Sequence, residues 1–486
     1  MAKDPDWTSK AYDAHASDLK LVGDLWSGVE TMQANAASYV QRHEKESIPD
    51  WSRRVKLARL YPGLSRAVRG SSDKPFEKNV AVSEDATLGA QVQALLADPC
   101  RDGRTLTAFT KEIYQLAARD GVVHVFVDYP RVAAASSETG PTLADAVAQR
   151  AHPYCSIVAA RDLLRWSTDD AGRPTMVAFR ETSTELTSDG EVEVTRVRVV
   201  EPGKHTVYTR RVGSENKPVW DTGVTTIVSY QDVPLVTLYF EKDGALTARP
   251  PFLQLAHTNV SHYVLDGDYR NALRFAMCGV LFFSGMQKTE VMECLSIGPT
   301  AVYWTSNESA RGQYLEQKGD AINLAVSELK KLEMEMDAEA GRPFQERVGE
   351  ETATGRKIDD KRGSSLVHQW ITATEDALGE ILEVAAKMVN EQIPDAVTVT
   401  VWSDFTATAN APQTVESLIK LRASGDLTRK TLLQEVRRRG VIDEETDVDA
   451  EMRDLAEEEA KAAESATKPD EDPDADPEPD PNEPTA

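Results

Sequence analysis

Cysteine is scarce in this sequence: four residues in 486, Cys100, Cys155, Cys278 and Cys294, with no close pair and no metal-type spacing. Disulfides and zinc clusters are therefore not expected, and a reducing compartment fits. Long apolar runs are missing too. The uncharged apolar stretch Phe275 to Gln287 is about half a membrane span, and the N-terminus Met1-Ala-Lys-Asp-Pro-Asp-Trp7 has no signal-peptide apolar core. A soluble, cytosolic chain with no membrane partner is the expectation. Catalytic signatures are equally thin, with no His-Glu-x-x-His and no Gly-x-Ser-x-Gly. The nearest approach to a phosphate loop, Gly349-Glu-Glu-Thr-Ala-Thr-Gly355, has one residue too many between its glycines. It is followed by Arg356-Lys357-Ile358, so no hydroxyl is placed to hold Mg²⁺. His257 and His262 are five apart and fall on different helix faces. Acidic pairs such as Asp169-Asp170 and Asp359-Asp360 read as solvated turns. No catalytic residue, metal ligand set or cofactor is assigned.

What is present is a net charge of −25, unevenly spread. Asp443 to Ala486 holds nineteen acidic residues against Arg453, Lys461 and Lys468, a balance of −16, which leaves −9 for the other 442 residues. The proline-rich acidic end, 467–486, cannot repay the entropy of ordering and is expected to be disordered.

The most informative stretch is Phe252 to Ala340. Pro250 and Pro251 precede a helical run, Phe252 to Met277, in which Leu253, Ala256, Val260, Tyr263 and Val264 keep a three-four spacing. Cys278 to Phe283 and Ala301 to Trp304 are short β-type runs among glycines and Pro299, and Asp320 to Ala340 is helical again. The pattern is two rods joined by a small knob.

Around it, Ala16 to Gln41 predicts an amphipathic helix with Leu19, Leu21, Val22, Leu25 and Val29 inward. Trp51 to Tyr61 predicts a basic helix with a solvated face, closed by Pro62-Gly63. Asp102 to Gly121 predicts a helix with a glycine C-cap, feeding a buried strand, Val122 to Val127, in which His124 is packed rather than a ligand. Thr142 to Arg150 reads as a short helix. From His152 to Phe240 the pattern is mostly β: Tyr154–Val158, Met176–Glu181, Val192–Val200, Thr206–Val212, Thr225–Ser229 and Leu235–Phe240. The class is α+β. Gly341 to Gly363 reads as a charged, glycine-containing loop. A long helix, Ser364 to Gln392, a strand, Val397 to Trp402, and two helices, Thr414–Arg422 and Thr428–Arg439, follow.

The order of these elements, with several local stretches, resembles the portal (head-to-tail connector) proteins of tailed bacteriophages from about residue 20 to about residue 455. The stretches are Gly103-Arg-Thr-Leu-Thr-Ala-Phe109 to Gly121-Val-Val-His-Val-Phe-Val-Asp-Tyr-Pro130 and Pro251 to Tyr263. Thr352-Ala353 with Ser365-Leu366, Ser403-Asp-Phe405, and Ser424 to Thr431 leading to Arg437-Arg-Arg-Gly-Val441 extend the likeness.

The resemblance implies a portal-like multidomain α+β subunit. Residues 1–250 would be an α/β wing, 251–277 and 316–340 a two-helix stem, and 278–315 a small α/β clip. A tunnel loop, 341–363, a long wing helix with its return strand, 364–410, and a helical crown, 411–466, would complete it. By the same resemblance a ring, a dodecamer, would sit in the virion at one capsid vertex after assembly in the host cytoplasm. Double-stranded DNA would pass through it for packaging and ejection, and terminase, a head-tail adaptor and the major capsid protein would be its partners. Arg342, Arg347, Arg356, Lys357, Lys361 and Arg362 are then candidates to line the DNA channel, and Phe282, Phe283, Tyr303 and Trp304 to meet partners at the clip. Two readings stay open beside it: a nucleic-acid-processing enzyme with the 341–363 loop at its site, and a capsid scaffold that forms no ring.

Overall fold

Caps and glycines set the ends of the first helices in this computed structural model. It describes residues 4–83, 85–130, 132, 145, 148–149, 151–187, 190–212, 218–228, 230–278, 280–285, 307–315, 319–341, 353–403, 418–424, 427–438 and 450–455. Ser9 accepts a hydrogen bond from Tyr12 N at 3.2 Å and opens α1 (Lys10–Ser27), whose Leu19, Leu21, Val22 and Leu25 are buried as their spacing predicts. The single helix expected to Gln41 is instead three. Gly28, at φ +100°, ends α1, and α2 (Val29–Ala34) and α3 (Ala36–Tyr39) follow, with Val29 exposed. α4 spans Ile48–Leu57. Pro62-Gly63, read as a terminator, begins a further helix, α5 (Gly63–Asp73). α6 (Ala90–Ala97) was not expected; its first-turn N–H groups of Gln91 and Val92 each lie 3.3 Å from the Glu391 carboxylate.

α7 (Leu106–Asp120) starts on Thr105, which accepts from Ala108 N, and ends on Gly121 at φ +83°. A Cβ at Gly121 would lie 2.1 Å from the Arg249 carbonyl oxygen, so both conformation and space require glycine. The chain then enters β2 (Val122–Asp128), the centre of an antiparallel three-stranded sheet between β3 (Tyr154–Ala159) and β10 (Leu235–Tyr239). His124 is fully buried there, its Nδ1 3.0 Å from Thr237 Oγ1, and burial pushes its pKa down to about 3. It is a packed histidine, as its place in an apolar strand predicts.

A second antiparallel sheet has the order β4-β5-β6-β7-β8, with β9 also on β7. Its strands are β4 (Leu163–Thr168), β5 (Pro174–Thr187), β6 (Gly190–Glu201), β7 (Lys204–Val212), β8 (Pro218–Trp220) and β9 (Val224–Ile227). β4 escaped the sequence reading. Phe126 and Val158 of the first sheet pack with Leu163, Val177, Phe179 and Val200 of the second in one core. A small pair, β11 (Lys242–Gly244) with β12 (Thr247–Ala248), leads to the rods.

The rods are α8 (Leu253–Cys278) and α9 (Gly319–Glu339), each within a residue or so of the periodic runs that predict them. Between them β13 (Val280–Ser284) pairs antiparallel with β14 (Arg311–Leu315). The strand expected at 301–304 lies outside the described residues, as does all of the 142–150 helix except 145, 148 and 149.

α10 (Ala353–Val389) begins eleven residues before the expected Ser364, so 353–363 is helix and not loop. Gly355 and Gly363, read as loop residues, are absorbed by the helix, where a single glycine costs only about 1 kcal/mol. Trp370 on α10 stacks on Phe240 at 4.6 Å and meets Phe252 and Tyr114 edge-on, which joins the long helix, the three-stranded sheet, α7 and the foot of α8. β15 (Val399–Thr400) is shorter than the strand expected over 397–402 and pairs with β1 (Ala81–Val82), while the Lys78 ammonium lies 3.9 Å from the Trp402 ring centre.

These elements make up the first unit, Met1–Ser403; the second is Asp404–Ala486. In the second, residues 418–423 are helical and α11 spans Arg429–Arg438, in line with the expected pair. The 467–486 end lies outside the described residues. Among the described residues no helix is long and apolar enough to cross a membrane, and Cys100 and Cys155 are free thiols.

Candidate functional site

The rods are anchored by an unusual triplet, Asp266-Gly267-Asp268, in the middle of α8. A mid-helix glycine costs about 1 kcal/mol against alanine, and here the missing side chain lets α4 approach: a Cβ on Gly267 would lie 3.2 Å from Ala58 Cβ and 3.3 Å from Arg54 O. The flanking carboxylates hold what arrives. Asp266 accepts from Arg59 N at 2.7 Å and from Arg270 Nε at 2.6 Å. Asp268 accepts from Arg54 Nη1 at 2.7 Å.

Arg54 is the centre of this joint. Its guanidinium also donates to Glu46 through Nε (3.0 Å) and Nη2 (2.9 Å) and to the Gln41 carbonyl (2.8 Å), and the residue is 1% exposed. The hydrogen bonds from Arg54 hold the Glu46 carboxyl below its ordinary range, and the same pairing raises Arg54. The expectation of a solvated basic face on this helix is therefore wrong at Arg54: three acceptors from two other segments compensate its burial. Arg53 and Lys56 remain exposed.

About two turns nearer the foot, Asn259 accepts from Leu64 N (3.2 Å) and donates to Tyr61 O (3.0 Å). His262, nearly buried, stands with Nε2 3.3 Å from Glu333 Oε1 on α9 and its ring 5.3 Å from that of Tyr61. His257 is exposed, so the two histidines do lie on different faces. Tyr263, Leu329 and Met336 complete the buried foot. Each such side chain contributes roughly 1.5–3 kcal/mol on burial.

The far half of the rod pair is different. Of residues 269–274, 276, 277 and 321–328 none is buried, and Met277 is 80% and Leu324 70% exposed. Half-turns of Leu273, Ala276, Ile322 and Val326 are only partly covered. Two helices alone cannot enclose an apolar stripe on this scale, so among the described residues about 15 Å of rod is without the packing partner that the foot has.

At the tip, Phe282 is in register with Gln313 and Phe283 with Gly312 on the β13–β14 ribbon. Tyr303 and Trp304 lie outside the described residues. So do Arg342 and Arg347, whereas Arg356, Lys357, Lys361 and Arg362 fall in the first turns of α10. At 100° per residue these four spread around the helix rather than forming one stripe. Among the described residues no group of His, Cys, Asp or Glu could hold a metal ion. The joint at Arg54, Asp266 and Asp268 was missed from sequence. An Asp-Gly-Asp triplet inside an otherwise periodic helix is the signal that could have found it.

A family model described as a domain of unknown function, DUF4055, matches residues 251–389, which run from the foot of α8 to the end of α10. No curated protein matches the chain. Among solved structures the chain is similar to one in the virion of a native gene transfer agent particle, with a TM-score of 0.39 and 10% identity over 82% of this chain and 96% of that one. It is similar also to chains in the neck of the empty particle computed with C6 symmetry (0.39, 10%, covering 82% and 95%) and in the neck of the native particle computed with C12 symmetry (0.39, 10%, covering 76% and 88%). Overlaps this loose transfer no role to the chain.

Proposed function

We propose that the chain is a structural, non-catalytic subunit of a phage-type portal ring that conducts double-stranded DNA at one capsid vertex. The observation that carries this reading is the half-buried outer rod pair with its two-stranded tip. An apolar stripe that the described residues of its own chain do not cover calls for neighbours, and a rod held rigidly at its foot presents the same stripe in every copy. Repeated head-to-tail contact of that kind closes a ring. The motif resemblance over most of the chain supports the same assignment, with the rods as stem, β13–β14 in the clip and the helices after 411 in the crown. Terminase and a head-tail adaptor would dock at the clip, where Phe282, Phe283, Tyr303 and Trp304 are the candidate contacts, and the major capsid protein would surround the ring. DNA would meet Arg342, Arg347, Arg356, Lys357, Lys361 and Arg362 only in weak, salt-screened contacts.

The test is the mass of the purified assembly, expected at roughly twelve chains. Leu324→Asp, on the exposed part of α9, should lower that mass while leaving the far-UV circular dichroism of the subunit unchanged. A wild-type chain that stays monomeric at capsid-assembly concentrations refutes the ring, and a monomer with turnover on nucleic acid would point to an enzyme. Replacing the six bases by glutamine should leave rings intact and impair DNA packaging. Replacing as many exposed bases elsewhere, Arg53 and Lys56 among them, should not.

A further inference from the structure

The second sheet ends in two open edges. β5 and β6 stay paired from Glu181 opposite Arg196 to Thr187 opposite Gly190, whereas β4 last pairs with β5 at Phe179 and β7 meets β6 only from Thr195. Among the described residues, β5 and β6 therefore run on as a two-stranded arm about 20 Å long, and such a ribbon is marginal in water by itself. The other edge is β9, Val224-Thr-Thr-Ile227, all β-branched, with none of the charges, prolines or bulges that blunt free edges. Val228 N donates to Gly203 O at 3.0 Å. By the alternation of an antiparallel ladder, Thr226 and Val224 then bond to β7, and the N–H and C=O of Thr225 and Ile227 point outward.

The two edges complement each other. Register across the sheet, with Leu186 opposite Glu191, Thr195 opposite Arg210 and Lys204 opposite Ile227, places Leu186 and Ile227 on the same face. They are the most exposed large apolar side chains among the described residues, at 83% and 86%. The described residues of the arm are acidic, with Glu181, Glu185, Glu191 and Glu193 against Arg196. The side of the sheet that ends in β9 is basic, with exposed Lys204, Arg210 and Arg211 against Asp221. Within one copy, β6 and β7 hold the two edges apart. A second copy related by a modest rotation brings its arm to β9 and keeps β5 antiparallel to it, because the pairings β5–β6, β6–β7 and β7–β9 are all antiparallel. We propose that the β5 edge of the arm in one copy adds to the β9 edge of the next, head to tail, with Leu186 packing beside Thr225 and Ile227. The head-to-tail sense rests on the ring reading; the joint belongs to the sheet and is distinct from the rods.

The experiment follows assembly of full-length chains by sedimentation over a concentration series at low salt, about 50 mM NaCl, where exposed charges are least screened. Three variants are compared: Leu186→Asp, the arm variant Glu191→Lys, Glu193→Lys, and the edge variant Lys204→Glu, Arg210→Glu. Each should raise the concentration of half-assembly at least about five-fold, with far-UV circular dichroism unchanged. In the arm and edge variants every contact between identical copies opposes like charges. Mixing the two in equal amounts restores attraction at each joint and should return assembly to within about two-fold of wild type. A loss of stability inside one chain would not be rescued by another. Arm and edge variants that assemble as wild type, or a mixture no better than its parts, overturn the joint and leave a ring held by the rods. Loss in the edge variant alone overturns it too, since β9 then pairs with β9 of another copy about a two-fold axis. A wild-type chain that stays monomeric refutes the ring and the joint together.

Discussion

Arg54→Ala tests the joint on which the rods stand. The substitution removes four charge-assisted hydrogen bonds and leaves the Glu46 carboxylate, whose side chain is 9% exposed, holding the His43 backbone N–H at 3.0 Å but without its guanidinium partner. Removing one partner of a buried, hydrogen-bonded ion pair costs about 3–5 kcal/mol, most of it the penalty of the stranded charge. Asp268, at 37% exposure, recovers some solvation, which favours the lower end of that range. The comparison is Arg53→Ala, one residue away. Arg53 pairs with Asp50 at 2.9 Å, but both side chains are about half exposed, and such pairs contribute about 0–1 kcal/mol. Urea unfolding of both variants at one protein concentration, followed by circular dichroism, should therefore separate them by at least about 2 kcal/mol. Glu46→Gln added to Arg54→Ala should recover part of the loss, because it discharges the stranded carboxylate. Equal costs for Arg53→Ala and Arg54→Ala, or no recovery in the double variant, would refute the account of a buried charge cluster.

His124 should make stability depend on pH. Its folded pKa is pushed down to about 3, so below the unfolded value near 6.5 the unfolded chain takes up a proton that the native strand refuses. Stability contributed by the neutral imidazole is therefore complete above about pH 6.5 and is lost on acidification at up to about 1.4 kcal/mol per pH unit. His124→Asn should flatten that slope between pH 6.5 and 4, as measured by chemical denaturation at a series of pH values; an unchanged slope would show that other groups set it. Gly121→Ala should cost at least about 1–3 kcal/mol, since it combines a left-handed backbone with a Cβ placed on the Arg249 carbonyl. A thermal midpoint equal to wild type would mean that the α7–β2 turn relaxes.

The sequence by itself determined the elements whose signal is local. The rods follow from apolar residues at three-four spacing between Pro251 and the glycines of the knob. The α7–β2 junction follows from a cap, an amphipathic run and Gly121, and the burial of His124 from its place in a continuous apolar strand. The α+β class follows from the succession of these patterns. Other features were settled only when distant segments met. Gly28 could have sat inside one helix, and Pro62-Gly63 could have ended one; backbone conformation and the packing of α5 against Asn259 and Met336 decided both. Gly355 and Gly363 weaken a helix too little to mark its end, so the start of α10 was not legible. Arg54 shows the limit most plainly. An arginine between Arg53 and Val55 on a short helix reads as surface, because nothing nearby in sequence can repay its desolvation. Its repayment comes from Asp268, 214 residues away, and from Glu46 and the Gln41 carbonyl on a separate turn. The uncovered outer rod is likewise invisible in the periodicity, which gives an apolar stripe but not how much of it the chain's own fold encloses. Local sequence sets which conformations a segment prefers; which charges are buried and which apolar surface is left over depends on the partners that tertiary structure brings.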